Sequence, residues 1–200
     1  MTAEALMPDP VAQLDRVTRR TKDVASGVTQ AQAAATTPCS QWSVLDLLNH
    51  LLGGLEFTAG CITGNAPDIR PNEAESSYRD ETDVTVLVRA YPAAVDRVLE
   101  LAAVPGALER TAITPFGEMP VVRIMMGTVM DQLVHCWDLA RATGQDTTLD
   151  SELVEFAYGM LVSGGFADMG RQAGFIGPEV AVPDSASLQD KMIGYMGRQP

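Results

Sequence analysis

Two histidines occur among the 200 residues, and both fall within strong helical periodicity. The stretch Met130-Asp131-Gln132-Leu133-Val134-His135-Cys136-Trp137-Asp138-Leu139-Ala140-Arg141-Ala142-Thr143-Gly144 is rich in good helix formers and ends on a glycine suited to stop a helix. Asp131 and His135 are four apart, so a helix places their side chains one turn apart on one face. Such a pair can grip a metal ion, or serve simply as an ion pair or hydrogen bond. Asp138, three residues on, could orient the His135 ring, although a carboxylate from another helix suits that role better. His50 lies in Leu47-Leu48-Asn49-His50-Leu51-Leu52, again on an apolar helical repeat. If the two helices are neighbours in a bundle, His50, Asp131 and His135 form a three-ligand site facing a cavity. Two imidazoles and a carboxylate suit Zn first, with Ni, Mn, Fe or Co as alternatives. Three protein ligands leave a position for water or a thiol, and the ion lowers the pKa of whichever group binds there.

Other residues bear on that site. Gly54 is one turn from His50 and Gly127 one turn before Asp131, so both can leave room in a pocket; close helix packing is the plainer use of glycine. Arg123, two turns before Asp131, could meet a substrate carboxylate, or form a surface ion pair. Cys39 stands near the start of the second helix, where a dipole would favour a thiolate, but a small buried residue under Trp42 is the simpler reading. Cys136 points about 100° away from His135 around the helix and reads as core. Met119, Met125, Met126 and Met130 read as core filling.

The elements that must carry these residues follow from spacing. Asp9-Pro10 caps a first helix over about residues 10 to 34, on the repeat Val11, Leu14, Val17, Thr21, Val24, Val28. Ser43-Val44-Leu45-Asp46 is a capping box with Trp42 as its staple, and the second helix runs to about Cys61. Residues 63 to 82 read as a long polar loop. A third helix runs from Val84 to Ala102 despite Pro92, which would bend it or delay its start. Residues 111 to 120 are extended or turn-like, and a fourth helix spans Pro120 or Val121 to Thr143. Asp150 caps a fifth, 175 to 183 form a non-helical strap, and Ser187 opens a short last helix through about Met196. The periodicity is 3.6 almost throughout, which predicts an all-α helical bundle. No linker divides it, so a single domain over 1–200 is expected, with the core bundle about 10–170 and a C-terminal extension about 171–200.

Composition narrows the function. The net charge of -12 repels a phosphate backbone and argues against nucleic acid. The longest apolar run is too short for a bilayer, and no signal peptide is evident. Three cysteines, Cys39, Cys61 and Cys136, cannot all pair within the chain and include no CxxC, which points to a reducing, cytoplasmic location. GxSxG, P-loop, dinucleotide and HExxH patterns are all absent.

The run Thr37-Pro38-Cys39-Ser40-Gln41-Trp42-Ser43-Val44-Leu45-Asp46-Leu47-Leu48-Asn49-His50 resembles the second-helix motif of the DinB-like, mycothiol-dependent maleylpyruvate isomerase superfamily. Val134 to Gly144 resembles its metal-binding helix. The tail, from Gly177-Pro178-Glu179-Val180 to Gly197-Arg198-Gln199-Pro200, resembles an actinobacterial subgroup described as metal-binding. The resemblance implies an up-down-down-up four-helix bundle with additional C-terminal helices. It also implies a divalent metal on His50, Asp131 and His135. At the position of Asp131 the isomerase has glutamate and the DinB-type proteins have histidine; the shorter aspartate requires a closer helix approach or gives weaker binding. Relatives use mycothiol or a similar thiol, activated by the metal for isomerisation or S-transfer on a small electrophile, and often form homodimers. The isomerase's separate C-terminal domain is missing from this pattern, which puts maleylpyruvate itself in doubt. The alternative reading is a non-catalytic metal-binding, stress or sequestration protein of the same fold.

Overall fold

Asp9 accepts a hydrogen bond from the Val11 amide, and Pro10 opens helix α1 (Pro10–Ser26). The computed structural model describes residues 9–40, 42–67, 75–115, 117–164, 166–172 and 174–200. Helix α1 stops well short of residue 34, and a 3-10 turn (Gln30–Gln32) follows. The cause is tertiary. The Gln145 carboxamide donates to the Val24 carbonyl at 2.9 Å and fills the space that a side chain at Gly27 would need. The helix formers after Gly27 are overridden there.

The capping box at Ser43 forms as expected, with Ser43 and Asp46 each bonding the other's backbone amide, and starts α2 (Val44–Thr63). Asp83 caps α3 (Val84–Ala102), which continues through Pro92. That proline lies on the solvent face, where water can satisfy the carbonyl it leaves unpaired. The extended stretch is a hairpin of β1 (Thr111–Thr114) and β2 (Gly117–Pro120), paired antiparallel with Thr111 opposite Pro120. It leads directly into α4 (Val121–Thr143), which ends at Gly144 in the left-handed region. Helices α5 (Ser151–Gly164), α6 (Phe166–Gln172) and α7 (Leu188–Tyr195) complete the chain.

Helix α1 packs on α3 and α4, and α2 packs on the same two, so α1 and α2 occupy one diagonal of a four-helix bundle. The axis of the bundle is filled by Leu14, Leu47, Leu51, Leu55, Leu87, Tyr91, Met125, Leu133 and Leu139, all fully buried. Two polar links fix α2 against α4 within this apolar interior. Thr58 and Thr128 share a 2.7 Å hydroxyl bond, and Gln132 donates to the Leu51 carbonyl while accepting from the Tyr91 hydroxyl. Such buried bonds restrict sliding, because a shift of one turn would break the Gln132–Leu51 bond in an interior with no water to replace it. They set the register that brings His50 opposite Asp131. Helices α5 and α7 pack together beside the bundle. Among the described residues no helix is long and apolar enough to cross a membrane.

The part of the 63–82 loop within the described residues is tied to α2: Ser76 donates to Asn49, and Glu56 accepts from the Ser77 amide and hydroxyl. Residues 68–74 lie outside the described residues. The close approach explains Gly53, since a Cβ there would lie 1.8 Å from the Glu75 carbonyl oxygen. Gly53→Ala is expected to destabilise by about 1–3 kcal/mol through overpacking. Gly127→Ala, with nothing within 4 Å of its added methyl, is expected to stabilise by about 0.5–1 kcal/mol through helix propensity. Urea midpoints of the two variants check the contrast.

Candidate metal centre

Helices α2 and α4 bring His50, Asp131 and His135 together, as their spacing and the resemblance imply. His50 Nε2 lies 3.0 Å from Asp131 Oδ1, and His135 Nε2 lies 3.4 Å from the same oxygen. One ligand atom from each residue falls within 4.8 Å of the others. Donor atoms on a tetrahedral ion with bonds of about 2.0–2.2 Å stand about 3.3–3.6 Å apart. The His135–Asp131 distance falls in that range and the His50–Asp131 distance just below it, so the cluster has the donor chemistry of a candidate three-ligand site and could hold an ion after small shifts. Both imidazoles are buried, whereas the Asp131 side chain keeps 31% of its exposure, so the site opens on the aspartate side.

Gly54 adjoins the site: a Cβ there would sit 3.6 Å from Asp131 Oδ2, whereas one on Gly127, a turn before Asp131, would meet nothing within 4 Å. Trp42 packs against both imidazoles: its ring is 4.3 Å from that of His50 and 5.7 Å from that of His135. The two imidazoles meet edge to face at 4.7 Å. Arg123 is exposed on α4, and Cys61 and Cys136 are buried thiols that burial pushes up to about 11.

Behind His135 lies a second polar cluster that sequence reasoning saw only in part. Asp138 Oδ2 is 2.8 Å from His135 Nδ1, so the i,i+3 geometry does suffice to orient the ring. Arg198, from the chain's last turn, donates through Nε and Nη2 to the two Asp138 oxygens at 3.2 and 2.8 Å, and Nη2 also reaches Cys39 Sγ at 3.0 Å. Cys39 Sγ lies 3.4 Å from Asp138 Oδ2 and 3.8 Å from His135 Nδ1. Cys39 is thus a half-buried member of a charged cluster, where the sequence reading had a small apolar contact under Trp42. Arg198 carried no local signal of this role; only the apolar spacing of Met192, Ile193 and Met196 marks the tail as buried.

The electrostatics follow from these contacts. Burial alone would raise the Asp138 carboxyl, but the Arg198 guanidinium and the His135 ring outweigh it and bring it down to about 2. Burial would likewise raise Asp131, and the two flanking imidazoles instead hold it well below the ordinary carboxylate range. Burial works against a charged His135, yet Asp131 and Asp138 on either side push it well above the usual histidine value. An ionised Asp138 can only accept, so His135 Nδ1 carries the proton it donates. Nε2 is then the nitrogen available to a metal, once it has lost its own proton.

The family profile described as "Mycothiol maleylpyruvate isomerase N-terminal domain" matches residues 14–140. Two uncharacterised proteins from two strains of Mycobacterium tuberculosis are each 34% identical over 146 residues, covering 72% of this chain and 73% of theirs. Among solved structures, the mycothiol-dependent maleylpyruvate isomerase superposes with a TM-score of 0.63 at 14% identity, over 82% of this chain and 70% of its own. A histidine-to-alanine mutant of that enzyme gives 0.62 over the same shares. These structural matches establish the bundle with its C-terminal additions as a shared fold.

For the metal-free protein, the lowered carboxyls contribute stability that is present above about pH 4 and lost as pH falls through their folded values. The raised His135 contributes stability that is present below about pH 6.5 and lost as pH rises through its folded value. Urea midpoints in the presence of a chelator are therefore expected to peak between those limits. The displacement at Asp138 is worth about 2 kcal/mol of the acid limb, which Asp138→Asn should flatten. Stability climbing steadily from pH 4 to 9 would contradict this assignment.

Proposed function

Because the chain belongs to the mycothiol maleylpyruvate isomerase N-terminal domain family, we propose that it is a divalent-metal protein that uses a low-molecular-weight thiol to isomerise, or transfer sulfur to, a small electrophile. Convergence of His50 Nε2, Asp131 and His135 Nε2 beside an opening is the observation that carries this reading. Zn is the ion best suited to two imidazoles and a carboxylate, with Ni, Mn, Fe or Co as alternatives. Bound there, it would supply Lewis acidity that keeps a thiol, of the mycothiol type, deprotonated near neutral pH.

The protein's own residues supply the rest. The Asp138 carboxylate fixes the His135 ring so that Nε2 faces Asp131. Trp42 packs against both imidazoles and limits their contact with water. Gly54 and Gly127, one turn from His50 and Asp131, add no side chain beside the site, which favours room there for a thiol and an electrophile. Arg123, exposed two turns before Asp131 on α4, is the candidate contact for a substrate carboxylate. The free cysteines suit a reducing cytoplasm, where such thiols are kept reduced.

Protein purified without an affinity tag and dialysed against a weak chelator is expected to retain about one divalent ion per chain by elemental analysis. His50→Ala and His135→Ala are each expected to lose the ion while keeping most of their helical circular dichroism. Wild-type protein should consume an electrophile only when both thiol and metal are supplied. Bound metal without thiol-dependent consumption would leave the non-catalytic metal-binding reading. Absence of metal, not restored by Zn, Ni, Mn or Fe, would overturn both.

A further inference from the structure

Helix α7 ends in a turn that aims the chain's last residues at α4. The Gly197 amide bonds the Gly194 carbonyl at 2.9 Å and the Arg198 amide bonds the Ile193 carbonyl at 3.1 Å, which together form a Schellman motif. Gly197 has φ +81°, and a Cβ there would lie 2.9 Å from the Gly177 carbonyl oxygen, so this turn requires glycine on two counts. The strap before α7 presses against the same region, with Val180 N–H bonded to the Gly194 carbonyl at 2.9 Å. Arg198 emerges from the turn buried, with Nη1 donating to the Met196 carbonyl at 2.8 Å and the remaining donors reaching Asp138 and Cys39.

Cys39, His135 and Asp138 on their own have the donor set of a cation site, and their ligand atoms lie within 4.8 Å of one another. A thiolate and a carboxylate attract zinc at least as well as the donors on the other face of His135. The guanidinium already supplies a positive charge there, so an ion entering that cluster would have to displace or face it across a few ångströms.

We infer that Arg198 is a positioning residue of the metal centre: it fills the cation position between Asp138 and Cys39, holds the His135 Nδ1–H on Asp138, and so confines a bound ion to the His50–Asp131–His135 side. This rests on the metal reading above. The C-terminal tail, outside the four-helix bundle, is then a working part of the centre. A lysine cannot replace it, because a single ammonium cannot fork across both Asp138 oxygens and also reach the sulfur.

The test uses the full chain, Arg198→Met and Arg198→Lys, with zinc affinity measured by chelator competition and cobalt(II) as a spectroscopic probe. Wild type is expected to bind cobalt with a nitrogen–oxygen spectrum. Arg198→Met is expected to gain a near-ultraviolet thiolate-to-cobalt charge-transfer band, because the vacated cluster offers the ion the Cys39 sulfur, and the Cys39→Ser/Arg198→Met double variant is expected to lack it. That double variant, with no thiolate to offer, is expected to bind zinc about 10–100-fold more weakly than Cys39→Ser alone, as for loss of a residue that orients a histidine ligand. An unchanged cobalt spectrum in Arg198→Met would overturn the inference, as would a double variant within twofold of Cys39→Ser. If Arg198→Met fails to fold, Arg198→Lys decides by the same two readouts. Wild type that binds neither ion would refute the metal reading itself, which is a separate outcome.

Discussion

Asp138 is a carboxylate with no solvent exposure, and the arrangement around it follows from the need to neutralise that charge. An unpaired buried charge costs several kcal/mol, so its partners must come from wherever the chain can bring them. Here they come from three separate regions: His135 from the preceding turn of α4, Cys39 from the connector before α2, and Arg198 from the tail after α7. The carboxylate thereby pins the C-terminal segment to the bundle. It also fixes the tautomer of the one imidazole that both polar clusters share.

His135 consequently divides the interior into two faces of different character. On its Nδ1 face every donor is matched by an acceptor and the groups are enclosed by the connector and the tail. On its Nε2 face the partners are Asp131 and, beyond it, His50, and that side opens to solvent beside Gly54. Closed pairing on one side and open, convergent ligands on the other is the division expected between residues that orient and residues that bind. The register of α2 on α4, held by the Thr58–Thr128 and Gln132–Leu51 bonds, keeps His50 within reach of that open face.

Local relations were the ones legible in the sequence. Asp131 and His135 share a helical turn, the capping box at Ser43 and the Ser187 cap are four-residue patterns, and a period of 3.6 marks the buried faces of the bundle helices. His50 required more, because its bond to Asp131 spans 81 positions; it stood out as the only other histidine and through the family motif. Arg198 meets Asp138 across 60 positions, and nothing in the composition of the tail names that partner. The polar setting of Cys39 is hidden for the same reason, since its neighbours arrive from α4 and the tail. Alanine propensity, which favours a first helix to about residue 34, is visible in sequence, whereas the Gln145 side chain that occupies the space beside Gly27 is not.

The most direct test of the account is zinc X-ray absorption on the metal-loaded protein. The expected spectrum shows only nitrogen and oxygen neighbours at about 2.0–2.2 Å, with the outer-shell scattering of two imidazoles. A sulfur neighbour at about 2.3 Å would place the ion on Cys39, on the face of His135 assigned here to Arg198, and would contradict it.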